Sequence, residues 1–223
     1  MVQVIQAQHL KGQPEETPAA ALSKLNIADL EDKFALKLAD NEQFFAEWLG
    51  FSPELTDQER QYLDRVKINY LSLVKRRPIA ENIVKMVVLS PLLDLANFYR
   101  PPFDVKTETS VEISTEDQGE IVKGRIDVLV LKQQFWLLVI ESKSADFSLL
   151  RAIPQALVYM LANSHPQRAA FGLVTNGSDF LFLKLTKQNI PQYALSDKFT
   201  LLKRENELYR VLEILKNIGQ VLS

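Results

Sequence analysis

The spacing of apolar residues changes from a helical to an alternating period after Pro101-Pro102. Before these prolines, apolar residues recur three and four positions apart, which is the period of an amphipathic helix. After them, apolar and polar residues alternate over 105–113, which is the period of a strand with one buried face. The pattern therefore predicts a helical first part and a β-containing second part.

The first part is expected to contain several helices. Three short ones are predicted before residue 55, over 19–25, 28–38 and 41–49. The capping-box sequence Thr56-Asp57-Gln58-Glu59 predicts a longer helix that continues to about Lys75. A further helical pattern covers 79–98, and we expect Ser90-Pro91 to kink or divide it because proline lacks a backbone donor.

The second part combines strands and helices. The elements predicted after the first strand are strands over 121–131, 135–143, 170–175 and 180–185, and helices near 151–163 and 204–221. The unbroken apolar run Phe135–Ile140 indicates a strand covered on both faces. This order predicts an α/β fold, with a mixed, partly antiparallel sheet flanked by helices. We expect a helical N-terminal extension over 1–55 and the main domain over 56–223.

Composition and charge narrow the function classes. With 47% hydrophobic and 24% charged residues, the chain resembles soluble globular proteins. It has no signal-peptide pattern and no apolar run near the roughly 20 residues that span a bilayer, so we expect a cytoplasmic protein without a membrane partner. Without cysteine, and with two distant histidines, any metal must be held mainly by oxygen. The net charge of −2 argues against nucleic-acid binding without excluding it.

Two carboxylates and a lysine interrupt the apolar strands. Asp127 lies in one strand, and Glu141 and Lys143 end the next. If the hairpin pivots on Gln133, Asp127 lies opposite Val139, and Glu141 and Lys143 project from the same face. A pivot shifted by half a residue would put Asp127 on the other face. Two carboxylates held close in a partly dry cleft repel each other, and a divalent cation such as Mg²⁺ relieves that repulsion.

These residues resemble the PD-(D/E)xK nuclease superfamily, and within it the N-terminal nuclease domain of type I restriction enzyme R subunits. The resemblance rests on Asp127, on Glu141-x-Lys143, and on Gln155-Ala156-Leu157-Val158-Tyr159, which matches the QxxxY element of the family. It spans residues 79–186. Ile126 stands where the superfamily name has proline, and no helicase or ATP-binding motif accompanies the match.

The resemblance implies a restriction-endonuclease-like fold and a role for each matched residue. The groups expected to hold Mg²⁺, or Mn²⁺ in its place, are Asp127, Glu141, the backbone carbonyl of Ser142 and the helical Glu81. Lys143 is expected to orient the attacking water. Gln155 and Tyr159 are expected to shape the site or contact DNA. Arg125, beside the site, could bind phosphate or pair with a neighbouring acid.

Two hypotheses from different classes follow. The first is a metal-dependent deoxyribonuclease that hydrolyses phosphodiester bonds. The alternative is an inactive module of the same fold that binds DNA or assembles with separate restriction or repair subunits. A separation of more than about 8 Å between the carboxylates of Asp127 and Glu141 would favour the alternative, because they could not share one ion. Ordinary structural roles also remain open for Glu81 near a helix N-terminus and for Asn176-Gly177 in a tight hairpin.

Overall fold

The structure is a computed structural model that describes residues 25–50, 54–76, 78–114, 121–132, 135–145, 147–163 and 165–221, with the backbone alone for 112–114, 121–123, 135–137, 139, 141 and 142. Its α-helices are α1 (Ile27–Phe34), α2 (Ala46–Leu49), α3 (Asp57–Val74), α4 (Glu81–Val84), α5 (Ser90–Leu95), α6 (Ile153–Leu161) and α7 (Leu208–Gln220). Its strands are β1 (Lys37–Leu38), β2 (Phe103–Ser114), β3 (Ile121–Lys132), β4 (Phe135–Ser142), β5 (Ala170–Thr175), β6 (Asp179–Thr186), β7 (Gln192–Leu195) and β8 (Phe199–Thr200). Short 3₁₀ turns cover Glu42–Phe45 and Leu149–Arg151, and a π-helical segment covers Lys85–Leu89.

One mixed sheet organises the molecule. Its strand order is β1-β7-β6-β5-β4-β3-β2, and β8 pairs with β6. The β4–β5 and β1–β7 pairs are parallel and the other pairs are antiparallel. A parallel pair needs a crossover, and α6 provides it between β4 and β5. The predicted α/β class with a mixed sheet and flanking helices is confirmed.

Each face of the sheet packs against its own set of helices. In β6, Phe180 and Phe182 enter a first core that contains residues of α3, α5 and α7, whereas Leu181 and Leu183 enter a second core with α6 and α1. Successive side chains of a strand point to opposite faces, so one strand contributes to both cores. The sheet is therefore a central layer between two helical layers.

The residues before 55 share these cores. The helix predicted for 28–38 ends earlier, at Phe34, because Ala35 adopts a left-handed φ of 49°. The next residues form β1, which pairs with β7. Leu30 and Leu36 are buried in the second core and Phe45 in the first. Nearly all of the helix predicted for 19–25 lies outside the described residues.

The capping box predicted at the start of α3 is present. The Thr56 hydroxyl accepts a hydrogen bond of 3.3 Å from the Glu59 backbone N–H, and the Glu59 carboxylate accepts one of 2.8 Å from the Thr56 N–H. These bonds satisfy two backbone donors that the first helical turn leaves without partners.

No helix of the described residues has both the length and the apolar character to cross a membrane.

The predicted disruption near Ser90-Pro91 takes the form of a change in helix type. The helical path from Glu81 to Leu95 continues as α4, the π-helical segment Lys85–Leu89, and α5. Proline has no N–H to donate into the preceding turn, and a wider turn accommodates that loss. The path is consequently unbroken, and Lys85 stands at the first position of the wide turn.

The β3–β4 hairpin differs from the predicted register. Lys132 pairs with Phe135, and a bulge between Val130 and Leu131 then shifts the pairing by one residue. Past the bulge Leu129 pairs with Val139, so the prediction that Asp127 lies opposite Val139 was wrong by two residues. A shift of two keeps the alternation of faces along the strand, because the side-chain period is two. The predicted pivot, Gln133, lies outside the described residues.

Candidate metal centre

The site lies where β3 and β4 separate. Their last pair is Val128 with Ile140, so Asp127 and Glu141 are the first residues beyond the ladder, one on each strand. From there β4 continues beside β5, with Glu141 paired to Val174 and Ser142 to Thr175. The side chain of Glu141, and with it the predicted distance between the two carboxylates, lies outside the described part of the structure. The backbone nevertheless brings the two acidic positions to the same end of the sheet.

A local irregularity directs Asp127 towards helix α4. Thr107 pairs with Val128 and Thr109 with Ile126, but Glu108 between them has a φ of 53° and forms no pair. Ile126 packs into the second core, whereas Val128 packs into the first. The alternation of faces is thus broken at Asp127. Its carboxylate consequently reaches the same side of the sheet as Val128, where α4 lies.

Three carboxylates surround the ammonium group of Lys85. Its Nζ is 2.7 Å from Glu81 Oε1, 3.0 Å from Asp127 Oδ1 and 3.6 Å from Glu108 Oε1. The side chains of Lys85 and Asp127 are 18% and 13% exposed, and Glu81 and Glu108 form the more open rim. Burial alone would lower the pKa of Lys85, but the hydrogen bonds and charges of Glu81 and Asp127 outweigh it and raise the pKa. Lys85 is therefore held as a cation.

Arg125 is attached to the same cluster. Its Nε lies 2.7 Å from Glu108 Oε2, while the side chain is 67% exposed. Of the two roles open to Arg125 from the sequence, pairing with a neighbouring acid is the one observed. Because a guanidinium has five N–H donors, this pairing leaves other donors for a phosphate at the rim.

The loop after Lys143 is fixed by backbone contacts on both sides. The Lys143 N–H donates to Thr175 O at 2.8 Å, and the Ala145 N–H donates to Ile79 O at 3.3 Å, two residues before Glu81. The Lys143 ammonium lies 5.8 Å from the centre of the Phe147 ring. These contacts place Lys143 at the end of the sheet that lies beside the start of α4, where Glu81 is.

The Asn176 side chain stabilises both this loop and the turn after β5. Its Nδ2 donates to Phe147 O at 2.9 Å, and its Oδ1 accepts from Asp179 N at 2.9 Å and from Ser178 N at 3.2 Å. Gly177 follows with a φ of 88°, a conformation that glycine adopts without strain. The tight-turn role left open for Asn176-Gly177 is the one observed.

The QxxxY residues act from the opposite face of the sheet. The hydroxyl of Tyr159 accepts hydrogen bonds from Gln155 Nε2 at 2.8 Å and from the Arg125 backbone N–H at 3.2 Å. Tyr159 is only 1% exposed. Tyr159 therefore binds the backbone two residues before Asp127, and Gln155 holds Tyr159 in place. In this position the two residues can support the strand that carries Asp127.

The structure adds two residues to those predicted from the sequence, Lys85 and Glu108. The spacing of Glu81 and Lys85, four apart on a helix, was a signal for their ion pair. Glu108 gave none, because its approach depends on the left-handed backbone of β2. Among the described residues, no group of three His, Cys, Asp or Glu side chains is placed to hold a metal ion. Lys85 stands instead between the carboxylates of Glu81 and Asp127.

Comparisons with known proteins point to one family. The family model described as "Type I restriction enzyme R protein N terminus" matches residues 7–189. One solved structure that resembles the chain is a fragment of a protein described as an HsdR subunit of a type I restriction enzyme from Vibrio vulnificus YJ016, with 17% identity and a TM-score of 0.40. That similarity covers 63% of this chain and 25% of the other, so the chain corresponds to about a quarter of that structure. A search of curated proteins gave no match.

Proposed function

Because the chain belongs to the family of type I restriction enzyme R protein N termini, we propose that it is a metal-dependent nuclease module that hydrolyses phosphodiester bonds in DNA. One observation carries the proposal: the carboxylates of Glu81 and Asp127 converge on a single, largely buried positive charge where β3 and β4 part. Oxygen donors gathered round one cation form the kind of site that Mg²⁺ occupies in phosphate chemistry.

The donors fit a hard divalent ion by their chemistry. Asp127 and Glu81 provide carboxylate oxygens within about 3 Å of one nitrogen. Glu141, near the end of β4, would provide a third carboxylate, and the backbone carbonyl of Ser142 a further oxygen. Mg²⁺ would be held by these groups, with Mn²⁺ as a substitute. Oxygen-only sites suit both ions, and the chain has no cysteine to favour a softer metal.

The remaining residues have distinct roles in the proposed hydrolysis. A bound divalent ion would polarise the phosphoryl oxygen and lower the pKa of a water. Lys143 would orient that water and stabilise the negative charge that develops on the phosphate, since its ammonium is near the end of β4. Gln155 and Tyr159 would hold the backbone at Arg125 and so position Asp127. The exposed Arg125 guanidinium would contact the DNA backbone.

A second candidate function has support of its own. An inactive module that binds DNA or assembles with separate restriction or repair subunits fits the position of Lys85, whose ammonium lies between the carboxylates of Glu81 and Asp127. It also fits a net charge of −2, which leaves binding to nucleic acid dependent on local positive charge. The two candidates differ in whether the carboxylates bind a divalent ion.

The experiment compares cleavage of supercoiled plasmid and single-stranded DNA in Mg²⁺, Mn²⁺ or EDTA. Asp127→Asn and Lys143→Ala should each reduce the rate at least about a hundredfold, as loss of a group that stabilises developing charge typically does. Lys203→Ala, at an exposed ion pair with Glu207, is the matched control and should cleave as the wild type does.

Equal cleavage by the wild type and both site variants would contradict the nuclease proposal. If the protein neither binds Mn²⁺ nor cleaves either DNA, the second candidate is favoured. Circular dichroism and thermal melting of every variant would establish that any lost rate comes from the site and not from unfolding.

A further inference from the structure

Lys85 takes up the space between the carboxylates that a divalent ion would need. Its Nζ lies 2.7 Å from Glu81 Oε1 and 3.0 Å from Asp127 Oδ1, although 42 residues separate Lys85 from Asp127. We propose that Lys85 is a built-in counter-cation that competes with the divalent ion for Glu81 and Asp127 and withdraws when the ion binds. This inference rests on the proposed metal site.

The two cations cannot share both carboxylates. Mg²⁺ binds oxygen at about 2.1 Å with near-octahedral demands, so an ion that bridges Glu81 and Asp127 would lie in the space of the ammonium group. Two positive charges a few ångströms apart also repel strongly where the surroundings are partly dry. Binding of the ion therefore requires that the ammonium leave at least one of the two oxygens.

An alternative acceptor for the ammonium lies beside the site. Glu108 Oε1 is 3.6 Å from Lys85 Nζ, and Glu108 is the more exposed carboxylate, at 47%. Lys85 also lines a cavity of about 420 Å³ together with Met86, Leu89, Tyr99 and Thr107. The flexible four-carbon stem of lysine allows a short movement towards Glu108 or this cavity without a change in the backbone.

The position of Lys85 separates this arrangement from an ordinary helix ion pair. An exposed Glu–Lys pair four residues apart contributes a few tenths of a kcal/mol and has no further partner. Lys85 has the additional contact with the partly buried Asp127, and it starts the π-helical segment, a type of turn frequent at functional sites. If the ion pair were purely structural, removal of Lys85 would lower the stability of the fold and leave the metal affinity unchanged.

The first test is calorimetric titration of the DNA-free protein with Mn²⁺. Lys85→Met and Lys85→Gln should bind Mn²⁺ about tenfold to a hundredfold more tightly than the wild type, because a charge-assisted contact no longer has to be broken. Lys85→Arg keeps the charge and should remain near the wild type. Lys184→Met is the matched control, since Lys184 forms a similarly buried ion pair with Glu47 at 2.7 Å, outside the site, and should change the affinity less than twofold.

The second test uses the wild type and does not depend on whether a variant folds. The rate at which an amine-reactive ester acylates each lysine is measured by mass spectrometry with and without saturating Mg²⁺. Release from the carboxylates should raise the reactivity of Lys85 several-fold and leave that of Lys184 unchanged. An unchanged Lys85 reactivity would overturn the inference.

The outcomes distinguish this inference from the proposed function. If the wild type and the Lys85 variants bind Mn²⁺ with equal affinity, the metal site stands and the competition by Lys85 is overturned. If neither the wild type nor any Lys85 variant binds Mn²⁺, the metal site itself is overturned, and the inference falls with it. Tighter binding in both Lys85→Met and Lys85→Gln, with no change in Lys184→Met, supports both.

Discussion

Tyr159 joins helix α6 to the strand that carries Asp127. Its buried hydroxyl accepts hydrogen bonds from Gln155 and from the backbone of Arg125. Tyr159→Phe would leave both donors without this partner, which costs about 1–3 kcal/mol for a buried group. We therefore expect urea denaturation to show a loss of that size in the free energy of unfolding.

The control for this change is Tyr99→Phe. Tyr99 is 49% exposed and its hydroxyl donates to Ser90 Oγ, where water can replace the lost bond. The control should alter the free energy of unfolding by no more than about 0.5 kcal/mol. A Tyr159→Phe effect as small as that of the control would contradict the bracing role assigned to the hydroxyl.

Charged residues within apolar strands were the sequence feature that predicted the site. Asp127 stands in such a strand, and in the structure the Lys85 ammonium contacts both Asp127 and Glu81. The role of each predicted residue stays a prediction. The spacing of Glu81 and Lys85 signalled their own ion pair, but the contacts of Lys85 with Asp127 and Glu108 could not be found in this way. They involve a π-helical turn and one residue with positive φ. Neither feature has a sequence signal strong enough to recognise.

At the element scale, the turn between β5 and β6 fits closely against two helices. A Cβ added to Gly177 would lie 2.7 Å from a ring atom of Tyr70 in α3 and 3.0 Å from Val84 in α4. The φ of 88° would add backbone strain for any other residue. Gly177→Ala should therefore lower the free energy of unfolding by about 2 kcal/mol or more in urea denaturation. A change below about 0.5 kcal/mol would show that the hairpin moves freely relative to the helices.

The hydrogen bond from Tyr209 in α7 to Asp64 in α3 should make the free energy of unfolding sensitive to alkaline pH. Burial first, and then the hydrogen bond to Asp64, raise the pKa of Tyr209 from 10.0 to about 12. The folded protein thus holds this proton more tightly than the unfolded chain. The stabilisation is complete below about pH 10 and is lost as the pH rises through about 12.

Tyr209→Phe removes this titration. We expect urea denaturation between pH 9 and pH 12 to show a shallower decline in the free energy of unfolding for the variant than for the wild type. Tyr193, whose pKa is also raised to about 12, is present in both proteins, so the difference between them reports Tyr209. Parallel curves would contradict the assignment.

The β3–β4 hairpin shows how far strand pairing could be predicted. Apolar runs between polar segments located both strands and placed Asp127 and Glu141 towards one end. The bulge between Val130 and Leu131 could not be foreseen, because both residues are apolar and either register buries them. The predicted relation between Asp127 and Glu141 was off by two residues, one from this bulge and one from the turn, where Lys132 pairs with Phe135.

For the molecule as a whole, the α/β class and the order of the longer elements could be predicted from the sequence, whereas three short strands were missed. β1, β7 and β8 have two, four and two residues, too few for a periodic pattern. β1 also pairs with a strand more than 150 residues away, a contact that no local signal reports. The predicted boundary at residue 55 stays a prediction, and Leu36 and Phe45 before it are buried in the two cores.

This shared packing predicts one cooperative unfolding unit. In a Trp136→Phe variant, Trp48 is the only remaining tryptophan, and it packs against the first core. Its fluorescence should change at the same urea concentration as the far-ultraviolet circular dichroism of the whole chain. An earlier fluorescence transition would show that the residues before 55 unfold separately from the main domain.

Locating the bound ion is the sharpest check of the proposed metal site, since the result does not depend on which DNA is chosen as substrate. Fe²⁺ is bound in place of Mg²⁺, and ascorbate with hydrogen peroxide then cuts the polypeptide near the ion. If the proposed site holds the ion, the cuts should fall close to Glu81, Asp127 and Glu141 and should be lost in Asp127→Asn. Cuts elsewhere, no cuts, or an unchanged pattern in Asp127→Asn would contradict the proposed metal site.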